Sequence, residues 1–531
     1  MSKLNEQQQA VVDSTADRLL VLAGAGSGKT HTMLERINKI VSDGISPTSI
    51  LVLTFTNAAA FEMRDRYKRS HSEKIIPEFR TFHSFCYHLL IIDKAIREHL
   101  GYSQPPTVGD SATIKRIETE AKMQCNIKLP QSKLSGEEPC VTLKEKQEYE
   151  LYTKCVKKIM KQRNIITFDI LAKEVTDLFT EKNELSNKYK QKYKYIFVDE
   201  FQDTSPDQVK FVSSFDQAKF CCVGDSLQNI YAFRGCTNEV IKALSKSDDW
   251  EKIRLFENYR STKQICDFAN KMSTYADKEY RIEMNGQRDG DPVEVIRGAN
   301  AGWETPVDDV HTKILLDRLV SRNNEKDVAV LCRTNKEVKY ICDKLTAAGI
   351  LYSSGKRNED ALHILKSVHD NDYMLDWLSS FLTAEKYAEY IRLASQVENP
   401  DIAWFAKEYG SVPGINERGK AIVEIRKILK SSKATVSKVA DIFKTLGIKS
   451  GELADVETDE DILPTIIETI ESQGDQDIYV GTIHSSKGLE YDTVYVMSVN
   501  DRPFLLRDED MLNLYYVAIT RAKNHLVVFR A

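Results

Sequence analysis

The stretch Leu19-Leu20-Val21-Leu22-Ala23-Gly24-Ala25-Gly26-Ser27-Gly28-Lys29-Thr30 constrains this chain more than any other. Four apolar residues running straight into glycines predict a short, buried parallel strand. The apolar set that follows at helical spacing (Met33, Leu34, Ile37, Ile40, Val41) predicts a helix. A strand, a glycine-rich turn closing in Gly-Lys-Thr and then a helix form a phosphate-binding loop, with Ala23 where glycine is the commoner opening residue. The backbone N–H groups of Gly24, Ala25, Gly26, Ser27 and Gly28 suit phosphate oxygens, and the helix N-terminus adds the positive end of a dipole. Lys29 then reaches the β and γ phosphates, and the Thr30 hydroxyl ligates Mg²⁺. The stretch predicts an α/β nucleotide-binding fold.

With 531 residues the chain is too long for one core and predicts several domains. No apolar run approaches the ~18 residues of a membrane span, and the polar start MSKLNEQQQ lacks the apolar centre of a signal peptide. The expectation is therefore a cytoplasmic protein without a membrane partner. The 10 cysteines contain no C-x-x-C pair and read as reduced, mostly buried thiols. Net charge is −5, so any polyanion must be held by a local basic track.

Along the chain, Leu4 to Val12 predicts a short helix whose glutamines have the donor and acceptor needed to read an adenine edge. The run Ile50–Leu53 leads into Thr54-Phe55-Thr56-Asn57, and a similar cluster follows at Thr81-Phe82-His83. Polar and aromatic residues at strand carboxyl ends lie where ligands sit in open α/β sheets. From Cys86 to Lys194 the pattern becomes helical and lysine-rich, with Lys154, Lys157, Lys158, Lys161 and Arg163 on one helical face. Next, Tyr195-Ile196-Phe197-Val198 ends in Asp199-Glu200. After a phosphate loop this places one carboxylate at the metal and the other at the attacking water. Further on, Gln228 has the reach to sense a γ phosphate, while Tyr231 and Phe233 offer flat faces for stacking bases.

With these residues in place, the chain resembles the superfamily-1 helicases of the UvrD/Rep/PcrA type. The match extends through Leu255-Phe256-Glu257-Asn258-Tyr259-Arg260-Ser261, Val328–Asn335, the run from Val480 to Asp492 and Leu514–Ala522. The resemblance implies that Gln8 reads adenine, Tyr259 packs on it, and His31 stands where the family has a base-flanking arginine. It groups Glu490 with the nucleotide-binding residues and has Arg260 and Arg521 meet charge developing on the phosphoryl group. Phe55, Asn57, His83, Tyr231, Phe233 and His484 are the implied nucleic-acid contacts. Departures are Ala58 for the family's lysine, and Ser226, Leu227 and Asn229 in its third motif.

The implied fold is α/β, with two RecA-like P-loop domains built on parallel sheets, each carrying a mainly helical insertion. The expected boundaries are 1–85 with 195–275 for the first motor domain and 86–194 for its insertion. The second motor domain takes 276–360 with 475–531, and a reduced insertion takes 361–474. The implied activity is ATP- and Mg²⁺-dependent 3′-to-5′ translocation on single-stranded DNA, or unwinding at a single-strand/duplex junction. Lys29, Asp199, Glu200, Gln228, Arg260 and Arg521 are the catalytic set. The reduced insertion keeps an alternative open: a regulatory, DNA-sensing ATPase subunit of a nuclease-containing repair or antiphage-defence complex.

Overall fold

The computed structural model describes residues 4–70, 75–230 apart from 110, 136–137 and 182, and 238–297 apart from 279. It also describes 309–321, 327–350, 352–353, 364–368, 374, 378, 401–409, 415–432, 435–446, 462–463, 466–467, 478–499 and 508–530. Within helices, the side chains of Asn57 and Ala58 and a few others are not described.

The apolar run Arg18–Ala23 is an inner strand of a six-stranded parallel sheet. The spatial order is Glu78–Thr81, Ile50–Thr54, Tyr195–Val198, Lys219–Gly224, Arg18–Ala23 and Glu251–Leu255. Successive residues of each strand face opposite sides of the sheet. Leu20, Leu22, Leu51, Leu53, Ile196, Val198 and Cys222 pack on one face. Leu19, Val21, Ala23, Ile50, Val52, Phe197, Cys221 and Val223 pack on the other. Both faces are covered by helices, which is why these strands read as unbroken apolar runs and not as alternating ones. Each such side chain contributes about 1.5–3 kcal/mol relative to exposure.

A second six-stranded parallel sheet takes the order Glu294–Arg297, Ala522–Arg530, Tyr491–Val499, Val328–Cys332, Ile478–Thr482 and Tyr352–Ser353. Its first strand in the chain is Glu294–Arg297, upstream of the Val328 run. One of its faces is packed by Val328, Val330, Cys332, Val480, Met497 and Phe529. The opposite core joins Val494, Val496 and the helix Glu509–Ile519 to Ala25, Leu227 and Ile230 of the first lobe. The chain is thus two RecA-like α/β lobes whose apolar contact crosses the cleft between them.

Between the strands Glu78–Thr81 and Tyr195–Val198 lies a set of helices that includes Ser111–Gln124, Leu143–Gln162 and Phe168–Thr180. Leu171, Val175 and Phe179 of the last of these pack with Phe211 and Phe215 of the first lobe. The first two enclose a separate small core of Ile117, Ala121, Tyr152 and Ile159. Here the expectation of reduced thiols fails at one pair, because Cys125 and Cys155 are joined in a disulfide. The cause is tertiary: packing of the two helices brings the cysteines' Cα atoms to 6.8 Å across 30 residues of sequence. The remaining cysteines among the described residues are free thiols. In the segment 361–474, the helices Ile402–Tyr409, Ile415–Lys430 and Thr435–Leu446 share a core of their own with Phe405, Ile422, Ile425 and Ile442. No helix among the described residues is long and apolar enough to cross a membrane.

Candidate active site

The glycine-rich turn leaves the strand Arg18–Ala23 and enters the helix Lys29–Ser42 with Gly26 at φ +67° and Gly28 at φ +77°. Backbone of this hand disfavours any L side chain. Space forbids one as well: a Cβ on Gly26 would stand 2.7 Å from the Arg260 Cβ, and one on Gly28 would stand 2.9 Å from Gln8 Nε2. The loop is therefore packed directly against two candidate nucleotide residues. Lys29 Nζ is buried without a hydrogen-bond partner, 4.0 Å from Glu200 Oε2.

Asp199 and Glu200 follow the strand Tyr195–Val198, and Glu200 adopts the left-handed backbone at φ +49°. Asp199 is buried and its Oδ1 has no hydrogen-bond partner. Burial first, and the Glu200 charge second, push its carboxyl up to about 7, against the pull of Lys29. Burial also acts to raise Glu200, but Lys29 and Lys487 outweigh it and hold this carboxyl low, at about 2. One carboxylate of the pair is thus fixed in its charged form, while the other gains most from an added cation. Gln202 donates to Glu200 and accepts from the Asp225 N–H at 3.0 Å. Asp225 in turn accepts from Gln228 Nε2 at 2.7 Å. A continuous hydrogen-bonded path therefore links Glu200 to Gln228.

The far wall comes from the second lobe. Arg521 follows the helix Glu509–Ile519 and is only 1% exposed. Its Nε donates to the Val517 carbonyl and its Nη1 to the Leu489 carbonyl, both at 3.0 Å. Burial and the neighbouring Arg260 push its guanidinium down to about 9, while Glu200 and Glu490 oppose the shift. Arg260 Nε donates to Glu490 at 2.6 Å and its Nη1 to the Thr520 carbonyl at 3.0 Å. Arg521 and Glu490 of the second lobe thus meet Arg260 of the first, and the Arg521 charge reaches Glu200 across the cleft. On the base side, Gln8 Nε2 donates to the Ser27 carbonyl at 3.1 Å, and Asn5 Nδ2 donates to the Tyr259 hydroxyl at 2.7 Å. His31 lies 4.0 Å from Glu35, and the Tyr259 ring is half exposed.

Two residues of this assembly carried no assigned role in the sequence. Asn258, 1% exposed, donates to the Ala25 carbonyl at 2.7 Å and accepts from the Arg260 and Ser261 N–H groups at 2.9 and 2.7 Å. It thereby fixes where Arg260 leaves the backbone. Lys487 crosses between the lobes, donating to Asp203 at 2.5 Å and to the Gln228 carbonyl at 2.8 Å. Its place in the Ser-Ser-Lys-Gly run is the only sequence signal for it.

The candidate nucleic-acid residues are less concentrated. Phe55 is half-buried just past the strand Ile50–Thr54, and Asn57 opens the helix Asn57–Ser70. The His83 ring meets Phe82 and Phe168 edge-on, each at 5.5 Å. Burial lowers its pKa against the opposing charge of Asp169. Phe168, 43% exposed, is a flat face that the sequence reading overlooked. His484 is half-buried and bonded to the backbone of Ile230; its pKa is lowered, chiefly by burial. Tyr231 and Phe233 lie outside the described residues. The basic helical face is partly neutralised: Lys154, Lys161 and Arg163 pair with Glu150, Glu174 and Glu120 at 2.7, 3.2 and 2.5 Å.

Two RecA-like lobes with a phosphate loop on one wall and a buried arginine, Arg521, on the other define a P-loop motor of the helicase class. Residues 4–249 match the UvrD/REP helicase N-terminal domain, and residues 253–359 and 361–531 match the UvrD-like helicase C-terminal domain. The chain belongs to the UvrD/PcrA-type family of ATP-dependent DNA helicases. It is 27% identical to the ATP-dependent DNA helicase PcrA of Bacillus subtilis over 623 aligned positions, covering 100% of this chain and 83% of that relative. It is 28% identical to the "Probable DNA helicase II homolog" of Mycoplasma capricolum over 622 positions, covering 98% and 83% of the two chains. Both alignments are longer than the chain itself, so these relatives carry segments that it lacks.

Proposed function

We propose that this chain is an ATP-driven motor that moves 3′ to 5′ along single-stranded DNA and unwinds at a single-strand/duplex junction. The observation that carries the reading is a buried pair of polar groups without hydrogen-bond partners, Lys29 Nζ and Asp199 Oδ1, beside Glu200, which feels the charge of Arg521 from the other lobe. A buried ammonium and a buried carboxylate oxygen left unbonded are costly unless a ligand completes them. A nucleotide triphosphate with Mg²⁺ fits that need, phosphate oxygens at Lys29 and the metal at Asp199 and Thr30. When bound, Mg²⁺ supplies charge neutralisation at the β and γ phosphates.

Lys29 and the loop N–H groups of Ala25, Gly26 and Gly28 grip the phosphates, while those of Gly24 and Ser27 donate to the Leu255 and Gly24 carbonyls at 3.0 and 3.3 Å. Gln8, His31 and Tyr259 receive the base, and Glu490 belongs to the same nucleotide pocket. Glu200, held in its charged form, orients the attacking water and accepts its proton. Arg260 and Arg521 bring fixed guanidinium groups to the charge that develops on the transferred phosphoryl oxygens. Gln228, through Asp225 and Gln202, relays the state of that site toward Tyr231, Phe233 and His484, which with Phe55, Asn57 and His83 grip the strand. Closure on ATP and opening after hydrolysis alternate that grip.

Lys29→Ala is expected to abolish DNA-stimulated ATP hydrolysis, and retained turnover refutes the site. Direction is tested by streptavidin displacement from strands labelled at the 5′ or 3′ end. Faster release from the 5′ end supports 3′-to-5′ movement, and the opposite polarity overturns it.

A second reading, a regulatory ATPase subunit of a nuclease-containing repair or defence complex, is favoured by the segments that the relatives have and this chain lacks. Strand displacement by the purified chain supports the autonomous motor. Weak unwinding, restored by a co-purifying nuclease, supports the subunit.

A further inference from the structure

The helix Lys29–Ser42, which begins with the phosphate-gripping lysine, carries a buried arginine two turns further on. Arg36 is 3% exposed and makes no ion pair among the described residues. A buried guanidinium needs compensation from some source. Here it comes from backbone oxygens. Arg36 Nη1 donates to the carbonyls of Val11 at 2.5 Å, Ser14 at 2.9 Å and, more weakly, Val12 at 3.4 Å. These belong to the last turn and the cap residue of the short helix Glu6–Asp13, which has no basic residue of its own in that turn. The final carbonyls of a helix lack intrahelical donors and form the negative end of its dipole. Arg36 therefore caps a neighbouring helix from the side.

The other end of that short helix faces the nucleotide pocket. Its capping box joins Asn5 and Gln8, with the Gln8 N–H donating to Asn5 Oδ1 at 2.7 Å. Gln8 Nε2 then reaches the Ser27 carbonyl, and Asn5 reaches Tyr259. Eight residues are too few to hold a helix together in isolation, so its outside anchors determine where it stands. We propose that Arg36 is a positioning residue for recognition of the nucleotide base: by holding the carboxyl end of Glu6–Asp13 against the phosphate-loop helix, it sets Gln8, and through Asn5 the Tyr259 ring, at the height of the base. This rests on the reading of Gln8 as the base-contacting residue. It adds a group that touches neither base nor phosphate yet governs which base is accepted. Lysine does not replace it: all three contacts come from Nη1 alone, and a lysine ammonium ends one bond short of that atom.

The test compares the wild type with Gln8→Ala, Arg36→Lys, Arg36→Gln and the double variant Gln8→Ala/Arg36→Lys, measuring hydrolysis of ATP and GTP at saturating single-stranded DNA. Inhibition by inorganic triphosphate, which has no base, is measured beside it. Arg36→Lys is expected to raise KM for ATP by about tenfold, to lower kcat far less, and to cut the ATP-over-GTP preference by the same factor as Gln8→Ala. The double variant is expected to be no worse than Gln8→Ala, and the triphosphate inhibition constant to stay unchanged. A purely structural role would weaken triphosphate along with ATP, and that result overturns the proposal. So does relaxed base preference in Gln8→Ala with full preference in both Arg36 variants, or effects that multiply in the double variant. If Gln8→Ala itself keeps full preference, the reading of Gln8 falls first and the role of Arg36 falls with it. Should Arg36→Lys fail to fold, Arg36→Gln, which removes the cap but leaves no buried charge, carries the same comparison.

Discussion

Replacing Lys487 with methionine removes the cation that ties the second lobe to Asp203 and Gln228 while leaving most of its apolar stem in place. The pair is deeply buried, with side-chain exposures of 10% for Lys487 and 0% for Asp203. Breaking a buried ion pair commonly costs about 3–5 kcal/mol, because the remaining charge is left uncompensated. Here the cost is smaller, because Asp203 can take up a proton. Burial, with the Glu200 charge beside it, raises its carboxyl to about 7 even against the pull of Lys487. A carboxyl with a raised folded value is charged only above that value, so the ionic part of the contact grows as pH rises through about 7. At pH 8, one unit above, that part amounts to about 1.4 kcal/mol. The lost hydrogen bond to the Gln228 carbonyl adds about 1 kcal/mol. Closure of the lobes on ATP should therefore weaken by about 2.4 kcal/mol at pH 8, or about 50-fold in kcat/KM for DNA-stimulated hydrolysis. At pH 6, where Asp203 is protonated in both proteins, only the hydrogen bond is lost and the gap should narrow to about fivefold. The assay is steady-state ATPase at fixed ionic strength across that range. A wild-type-to-variant ratio that stays flat from pH 6 to 8, or that remains under about threefold at pH 8, would refute the cross-lobe role.

Two further outcomes follow from the geometry. Phe168→Ala should raise the single-stranded DNA concentration needed for half-maximal ATPase stimulation by about tenfold, within the 1–3 kcal/mol of one stacked base, and an unchanged value at low and high salt would remove Phe168 from the strand's path. Glu78 accepts from Arg80 and Tyr193 at 2.6 and 2.5 Å; these and Lys192 outweigh burial and take its carboxyl from 4.5 down to about 2. Stability from a depressed carboxylate is complete above its unfolded value and disappears as pH falls through the folded one. Glu78→Gln should thus cost about 3 kcal/mol in urea unfolding at pH 7 and about 1.4 kcal/mol at pH 3, and equal losses at both would contradict the assignment.

The parts of the molecule that local chemistry dictates were legible in the sequence. Gly26 and Gly28 are glycines because the backbone turns left-handed there and because Arg260 and Gln8 fill the space a side chain would take. Runs such as Ile50–Leu53 declare strands buried on both faces. Features that depend on distant partners were not legible. Lys487 and Asp203 are separated by 284 positions, and nothing near either one signals the other. Arg36 reads as one more polar residue on an amphipathic helix until the carbonyls of Val11 and Ser14 are seen in front of it. The lysines of the helix Leu143–Gln162 suggested a basic face because Glu120 and Glu174, which neutralise two of its neighbours, come from other helices. Pairing of Cys125 with Cys155 is invisible for the same reason.

The placement of Ala522–Arg530 bears on the order in which the second lobe can fold. This strand lies inside the second sheet, between Glu294–Arg297 and Tyr491–Val499, so that sheet keeps a gap until the strand joins it. Arg521 immediately precedes it, so filling that gap and seating the arginine beside Arg260 and Glu490 are one event.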